Sequence, residues 1–194
     1  TATIIHQMFM ENGIEIPEQI AGLLCAAIIS DTLMFRSPTC TPMDENACRV
    51  LAKIAKVDIE KLASDMFKAG SNLNNRSFEE IFEQDYKEFN SEDFSFGIGQ
   101  ISAFDKETLK NIKDGIKEYM ENIYKEKDAD ILCFMLTNIF EESTELLYYG
   151  KDAEQLLAKA FKLEEVSGGS IHLLDVVSRK KQVIPKIMSA SNQE

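Results

Sequence analysis

Two periodicities of apolar residues alternate along this chain and restrict the folds available to it. Spacings of three and four predict helices over residues 3–12, 18–29, 42–55, 58–70, 77–89, 106–125 and 152–161. Alternating or continuous apolar runs predict strands over residues 94–101, 131–136, 144–149 and 170–188. Because helices and strands follow one another along the chain, the pattern indicates an α/β or α+β architecture.

One polar segment divides the chain. Residues 69–76 (AGSNLNNR) are rich in Gly, Ser and Asn, which favour turns and cannot build a core. The charge balance also changes here, since the first 76 residues carry 7 basic and 9 acidic residues and the remainder 14 and 24. We therefore predict a domain over residues 1–70, a linker over 71–77 and a second domain over 78–194.

The net charge of the chain limits the kinds of molecule that it can bind. The 194 residues include 33 acidic and 21 basic ones, which gives a formal charge of −12. Nucleic-acid binding needs a broad basic surface, so we expect no nucleic-acid partner, while a few local cations could still hold a small anion. No apolar run approaches about 18 residues, and we expect no membrane span.

The cysteine content indicates the cellular compartment of the protein. The chain has 4 cysteines, no CxxC pair and only 2 histidines, so a thiolate zinc site is not expected. Free thiols are typical of the reducing cytosol, and the first residues lack the basic start of a signal peptide. We expect a cytoplasmic protein with buried thiols.

A run of three cations stands out in this acidic chain. Residues 178–182 (SRKKQ) lie between two apolar runs, and on the predicted strand Arg179 and Lys181 would share one side while Lys180 faces the other. Arg offers a planar fork for phosphate oxygens, Lys a mobile charge and Ser178 a hydroxyl donor. Two interpretations stay open: an anion-binding site, or a solvated edge strand whose charges prevent aggregation.

Two further residues have alternative interpretations. Asp31 follows a predicted buried helix, where it either marks the turn into a loop or places a carboxylate in a cleft for chemistry. Lys87 is a lone cation among acids at the end of the predicted helix 77–89. It either compensates the helix dipole or binds an anion.

Three stretches together resemble a known family. They are residues 20–41 (IAGLLCAAIISDTLMFRSPTCT), residues 85–89 (DYKEF) followed by 97–101 (GIGQI), and residues 177–185 (VSRKKQVIP). Their order and spacing closely resemble the back part of the family II inorganic pyrophosphatases, which belong to the DHH phosphoesterase superfamily. The resemblance covers nearly the whole chain.

The resemblance implies a fold and residue roles. Residues 1–70 would be the C-terminal part of a DHH-type parallel-sheet domain, and residues 78–194 a smaller α/β, mixed-sheet, DHH-associated domain that binds substrate. By position, Asp31 matches a metal ligand, Arg179 and Lys180 match a pair that grips pyrophosphate, and Lys87 matches a further substrate-binding lysine. Ser178 adds a hydroxyl donor beside that pair.

The resemblance also implies an activity. The parent enzyme would hydrolyse pyrophosphate to two phosphates with Mn²⁺ or Co²⁺, and Mg²⁺ would accompany the substrate. It would be a homodimer with no membrane partner. In some members of the family a CBS-domain insert interrupts the first domain, and the parent of this chain could be such a member. The family's HxxxDxD and DHH motifs do not occur here, so we expect the chain to be inactive alone. Two alternatives are an exopolyphosphatase-like DHH phosphoesterase and a non-catalytic anion-binding fragment.

Overall fold

The computed structural model describes residues 1–70, 73, 76–90, 94–104 and 106–191. The chain forms two compact units, a helical unit (Thr1–Gly70) and a sheet unit (Ser71–Glu194). Most of the predicted linker, namely residues 71, 72, 74 and 75, lies outside the described residues.

The helical unit consists of four helices: α1 (Ala2–Glu11), α2 (Glu18–Thr32), α3 (Pro42–Ala55) and α4 (Ile59–Gly70). The start of α3 is as predicted, because the Thr41 side chain accepts from the Asp44 N–H and the Asp44 carboxylate accepts from the Thr41 N–H at 2.8 Å. Pro42 occupies the first helical position, where its missing N–H is no loss. This capping box fixes the N-terminus of α3.

Helix α2 was predicted to be buried, and the structure shows that only one of its faces is. Its inner face, including Leu24, Cys25 and Ile28, packs into the core of the unit. Leu23 on the other face is 68% exposed, and Ile4 on α1 is 62% exposed. The helical unit therefore carries an apolar outer face within its described residues.

The sheet unit contains one five-stranded mixed sheet in the order β1-β2-β3-β4-β5. Its elements are α5 (Phe78–Glu83), β1 (Lys87–Asn90), β2 (Ser95–Ala103), α6 (Lys106–Ile123), β3 (Ile131–Asn138), β4 (Ser143–Gly150), α7 (Ala153–Phe161), β5 (Ser170–Leu174), a π-helical turn (Arg179–Val183) and α8 (Ile184–Ser191). Strands β2 and β3 are parallel and the other pairs are antiparallel. Helix α6 makes the crossover that a parallel pair requires.

Both faces of this sheet are covered. Alternate residues of β3 point to opposite sides, so Cys133 and Met135 enter a core completed by α7 and α8, while Phe134 enters a second core completed by α5 and α6. All eight residues of β3 are buried, which explains its continuous apolar run. The mixed α/β fold expected from the sequence is confirmed for this unit. No helix in the described part of the chain is both long and apolar enough to cross a bilayer.

Two predicted elements are wrong. Helix α5 ends at Glu83, and Lys87 lies in strand β1 instead of at a helix end. Pairing with β2 overrides the local helical spacing, because Phe89 faces Phe96 across the two strands and their rings stack at 5.3 Å.

The predicted strand over 170–188 is also too long. Strand β5 ends at Leu174, Asp175 adopts a left-handed φ of 57°, and the chain turns helical at Arg179. Arg179 and Lys181 therefore do not share one side of a strand. The β-branched residues Val183 and Ile184 instead pack against the core from helical backbone.

Candidate functional site

The basic turn (residues 178–182) begins the last helical segment of the sheet unit. Ser178 is its N-cap, because its Oγ accepts the N–H of Lys181 at 3.3 Å and its carbonyl accepts the N–H of Gln182 at 2.9 Å. The positive end of the helix dipole therefore lies beside the cations. An anion placed here would meet both charge and hydroxyl donors.

Pro185 explains the unusual backbone of this turn. Proline has no N–H, so it cannot donate the hydrogen bond that an α-helix needs at this position. The preceding residue, Ile184, donates instead to the carbonyl of Arg179 five residues back, which makes a π-helical turn. Such single π turns are frequent at functional sites.

Gln182 shapes the loop that precedes the turn. Its Oε1 accepts the N–H groups of Val177 at 3.0 Å and Ser178 at 2.9 Å, and its Nε2 donates to the carbonyl of Asp175. One side-chain amide thus satisfies three backbone groups that have left the sheet. The spacing of apolar residues in the sequence did not predict this role of Gln182.

A polar contact anchors the same loop to the sheet. The Nε2 of Gln100 on β2 donates to the carbonyl of Val177 and to Thr137 Oγ1, each at 3.1 Å. The Thr144 hydroxyl donates to the carbonyl of Val176. Because these groups are largely buried, their pairing makes the position of the loop strongly preferred.

Arg179 is buried and points inward. Its side chain is 10% exposed, and its Nη1 donates to the carbonyls of Asp85 and of Ile98, the latter at 3.1 Å. Its Nη2 forms an ion pair with Asp85 Oδ1 at 2.9 Å. The residue thus joins the basic turn to Asp85, two residues before β1, and to β2.

The structure brings Lys87 into the same neighbourhood. Lys87 is the register partner of Ile98, whose carbonyl accepts from Arg179. Lys87 and Lys180 are exposed, and neither has an ion-pair partner among the residues that the structure describes. Four of the five predicted site residues, Ser178, Arg179, Lys180 and Lys87, therefore belong to two neighbouring segments of the sheet unit.

Tyr86 explains a glycine in the predicted motif. A Cβ on Gly97 would lie 1.9 Å from the Tyr86 hydroxyl, so only glycine lets this ring pack against β2. Burial and the neighbouring Glu88 carboxylate raise the pKa of Tyr86 above its ordinary value. Tyr86 stays neutral and anchors the segment between Asp85 and Lys87.

Asp31, the fifth predicted residue, lies in the helical unit. It occupies the last turn of α2 and is exposed in a pocket of about 340 Å³ that Asp44 also lines. The next residues, Leu33, Met34 and Phe35, all have left-handed φ angles of 49°, 53° and 69°. Bulky residues adopt this backbone only at a cost of about 1–2 kcal/mol each.

The described residues do not complete a metal site. Hydrogen bonds from Thr3 and Thr41 lower the pKa of Asp44, so this carboxylate is already occupied as an acceptor. No group of three or more His, Cys, Asp or Glu side chains with metal-binding geometry occurs among the described residues. Asp31 suits a hard divalent cation as one oxygen ligand, but it is not a site by itself.

A larger cavity, of about 630 Å³, lies elsewhere on the sheet unit and does not contain the predicted residues. Its charged side chains neutralise one another, since Lys106 pairs with Glu141 at 3.4 Å and Lys113 pairs with Glu145. The basic turn, with its exposed lysines, is the better place for an anion.

Comparison with protein families fits this architecture. Residues 64–190 match the DHHA2 domain, which is most of the sheet unit together with the end of α4. The chain belongs to the DHHA2 domain family.

Individual relatives extend the comparison to nearly the whole chain. Over 190 residues it is 42% identical to a probable manganese-dependent inorganic pyrophosphatase of Clostridium acetobutylicum, with 98% of this chain and 61% of the relative covered. It is 41% identical to a cobalt-dependent inorganic pyrophosphatase of Clostridium perfringens, with 96% and 34% covered. The chain therefore spans less than two thirds of either relative.

A solved structure is also similar to this chain over nearly its whole length. The crystal structure of a Methanococcus jannaschii protein assigned to the family II inorganic pyrophosphatases superposes with a TM-score of 0.83 at 35% identity. The superposition covers 99% of this chain and 64% of that one.

Proposed function

We propose that this chain is part of a metal-dependent inorganic pyrophosphatase, which hydrolyses pyrophosphate to two phosphates. The observation that carries the proposal is the grouping of Arg179, Lys180 and Lys87 beside the helix start at Ser178. The names of the relatives support pyrophosphate as the anion.

Each residue has a role in this proposal. Lys87 and Lys180 neutralise phosphate oxygens, and the Ser178 hydroxyl donates a hydrogen bond. Arg179 has five N–H donors, of which three are used within the chain, and the remaining two bind the substrate. Cations fixed in this way stabilise the charge that develops when a phosphoryl group is transferred.

The metal is proposed on the names of the relatives, which are manganese- or cobalt-dependent. Asp31 would be one ligand of Mn²⁺ or Co²⁺, and the other ligands would come from outside this chain. The accompanying Mg²⁺ on the substrate and the homodimer stay predictions.

The domain assignment is likewise a proposal. Residues 1–70 would be the C-terminal part of a DHH domain, residues 71–77 a linker and residues 78–194 the substrate-binding domain. The apolar outer face at Ile4 and Leu23 supports it, since such a face is expected where further elements of a domain pack. The four free cysteines support the proposed cytoplasmic location.

The test is phosphate release by the full-length protein that contains this chain, assayed with Mn²⁺ on pyrophosphate and on tripolyphosphate. We expect Lys180→Ala to lower kcat/KM for pyrophosphate by roughly 100-fold, as loss of a charge-stabilising group does. Lys181→Ala is the matched control, because this neighbouring lysine is also exposed but has no role in the proposed site.

Two results would contradict the proposal. An unchanged kcat/KM in Lys180→Ala would remove this lysine from the site. Faster turnover of tripolyphosphate than of pyrophosphate would favour the exopolyphosphatase-like alternative.

A further inference from the structure

Arg179 has a carboxylate partner, Asp85, that is not among the predicted site residues. Asp85 accepts from this guanidinium twice, with its main-chain carbonyl and with its Oδ1 at 2.9 Å. We propose that Asp85 is a positioning residue, which holds Arg179 so that its two remaining donors face the substrate. The inference rests on the proposed function and adds a residue to it.

Burial makes this partner important. The Arg179 side chain is 10% exposed, whereas that of Asp85 is 46% exposed. The N–H groups of a largely buried guanidinium need acceptors, and Asp85 Oδ1 is the side-chain acceptor that the described residues provide. Without it, Nη2 loses its acceptor and only the two bonds of Nη1 to main-chain carbonyls remain, so we expect the guanidinium to turn toward water.

The position of Asp85 in the chain links the two halves of the site. It stands two residues before Lys87, and the partly buried ring of Tyr86, packed against Gly97, anchors the backbone between them. Lys87 pairs with Ile98, whose carbonyl also accepts from Arg179 at 3.1 Å. One guanidinium therefore connects the basic turn to the segment that leads into β1, which carries Lys87, and to β2.

The chemistry follows from the geometry of an arginine. Asp85 and Ile98 together use three of its five N–H donors, and a planar group held by three bonds cannot rotate. The two remaining donors keep one direction before substrate arrives. Such preorganisation removes the ordering cost of binding and aligns the charge with the reacting phosphate.

The first test is a double-mutant cycle on pyrophosphate turnover by the full-length protein. We expect Asp85→Ala to lower kcat/KM by about 10- to 100-fold, the size of effect that misplacement of a binding group produces. The loss should disappear when Arg179 is already Ala, and it should be additive with Lys180→Ala. A purely structural role for Asp85 would lower activity equally in all three backgrounds.

Asp85→Asn separates positioning from folding. The amide oxygen still accepts from Arg179, so we expect this variant to recover most of the activity that Asp85→Ala loses. Full activity in Asp85→Ala, or additivity with Arg179→Ala, would overturn the inference.

A second measurement does not depend on turnover. In ¹⁵N-resolved NMR spectra, a held guanidinium gives separate, slowly exchanging Nη–H signals. We expect such signals for Arg179 in the unmodified protein and in Asp85→Asn, and their loss in Asp85→Ala. If they persist in Asp85→Ala, Asp85 does not hold the group; if the protein instead lacks turnover while the signals behave as expected, only the proposed function fails.

Discussion

The helical unit and the sheet unit bury their apolar residues differently. In the sheet unit, Phe96 and Phe134 lie on opposite faces of one sheet and are both fully buried. In the helical unit, Leu51 is fully buried while Leu23 is 68% exposed. The sheet unit thus has a core on each side of its strands, and the helical unit has a core on one side only.

Among the substitutions that test this contrast, we expect Phe134→Ala to cause the largest loss of stability. Phe134→Ala removes a ring that is fully buried and stacks on Phe82 at 5.4 Å. We expect the free energy of unfolding of the sheet unit to fall by about 3–5 kcal/mol, because the ring leaves a cavity. Denaturant-dependent hydrogen exchange measures this separately for the amides of each unit.

Leu23→Ala is the matched truncation in the other unit. Because most of this side chain is in water, we expect a change within about 0.5 kcal/mol. A large loss at Leu23, or a small one at Phe134, would break the contrast.

A second comparison uses one glycine from each unit. A Cβ on Gly97 would collide with the Tyr86 ring, so we expect Gly97→Ala to destabilise the sheet unit by about 1–3 kcal/mol. A Cβ on Gly22, within α2, would meet only Ala55 Cβ, at 3.7 Å. Gly22→Ala should therefore stabilise the helical unit by up to about 1 kcal/mol, as is usual within a helix. Chemical denaturation measures the free energy of unfolding of each variant. If both substitutions lower it, the packing described at Gly22 is contradicted.

The smallest expected effect is a pH dependence of the helical unit. Hydrogen bonds from Thr3 and Thr41 lower the pKa of Asp44 in the folded protein. The resulting stabilisation is present above the ordinary aspartate pKa, about 4, and is lost as pH falls through the native value. Asp44→Asn should flatten the decline in stability at acid pH.

Asp65→Asn is the control for that measurement, because Asp65 is an exposed aspartate on α4. It should leave the acid limb of the thermal-melting profile unchanged. Equal flattening by both substitutions would mean that the bonds of Asp44 have no particular role.

Local rules predicted the elements whose signals lie within a few residues. Helix α3 follows from Thr41, Pro42 and Asp44, and the apolar run of β3 is that of a strand buried on both faces. The same local rules gave the wrong secondary structure at Lys87 and at the basic turn, because contacts between distant segments determine the structure there. Arg179, for instance, finds its partners 94 and 81 residues away along the chain.

The candidate site was predicted in the same partial way. The resemblance supplied Arg179, Lys180 and Lys87, and the hydroxyl beside the cations supplied Ser178, because residue types and order are visible in the sequence. It did not supply Asp85 as the partner of Arg179. The supporting amides of the loop were missed for the same reason, since a hydrogen bond across the sheet leaves no periodic signal.

The left-handed segment after α2 gives Asp31 an unusual kind of stiffness. The Met34 N–H donates to the carbonyl of Ile29 at 2.8 Å, and Thr32 accepts the Phe35 N–H on its hydroxyl at 3.2 Å. Because left-handed backbone is unfavourable for Leu33, Met34 and Phe35, these hydrogen bonds are what keep the segment in its observed path. The end of α2 that carries Asp31 is thus held by the helix on one side and by this hydrogen-bonded segment on the other.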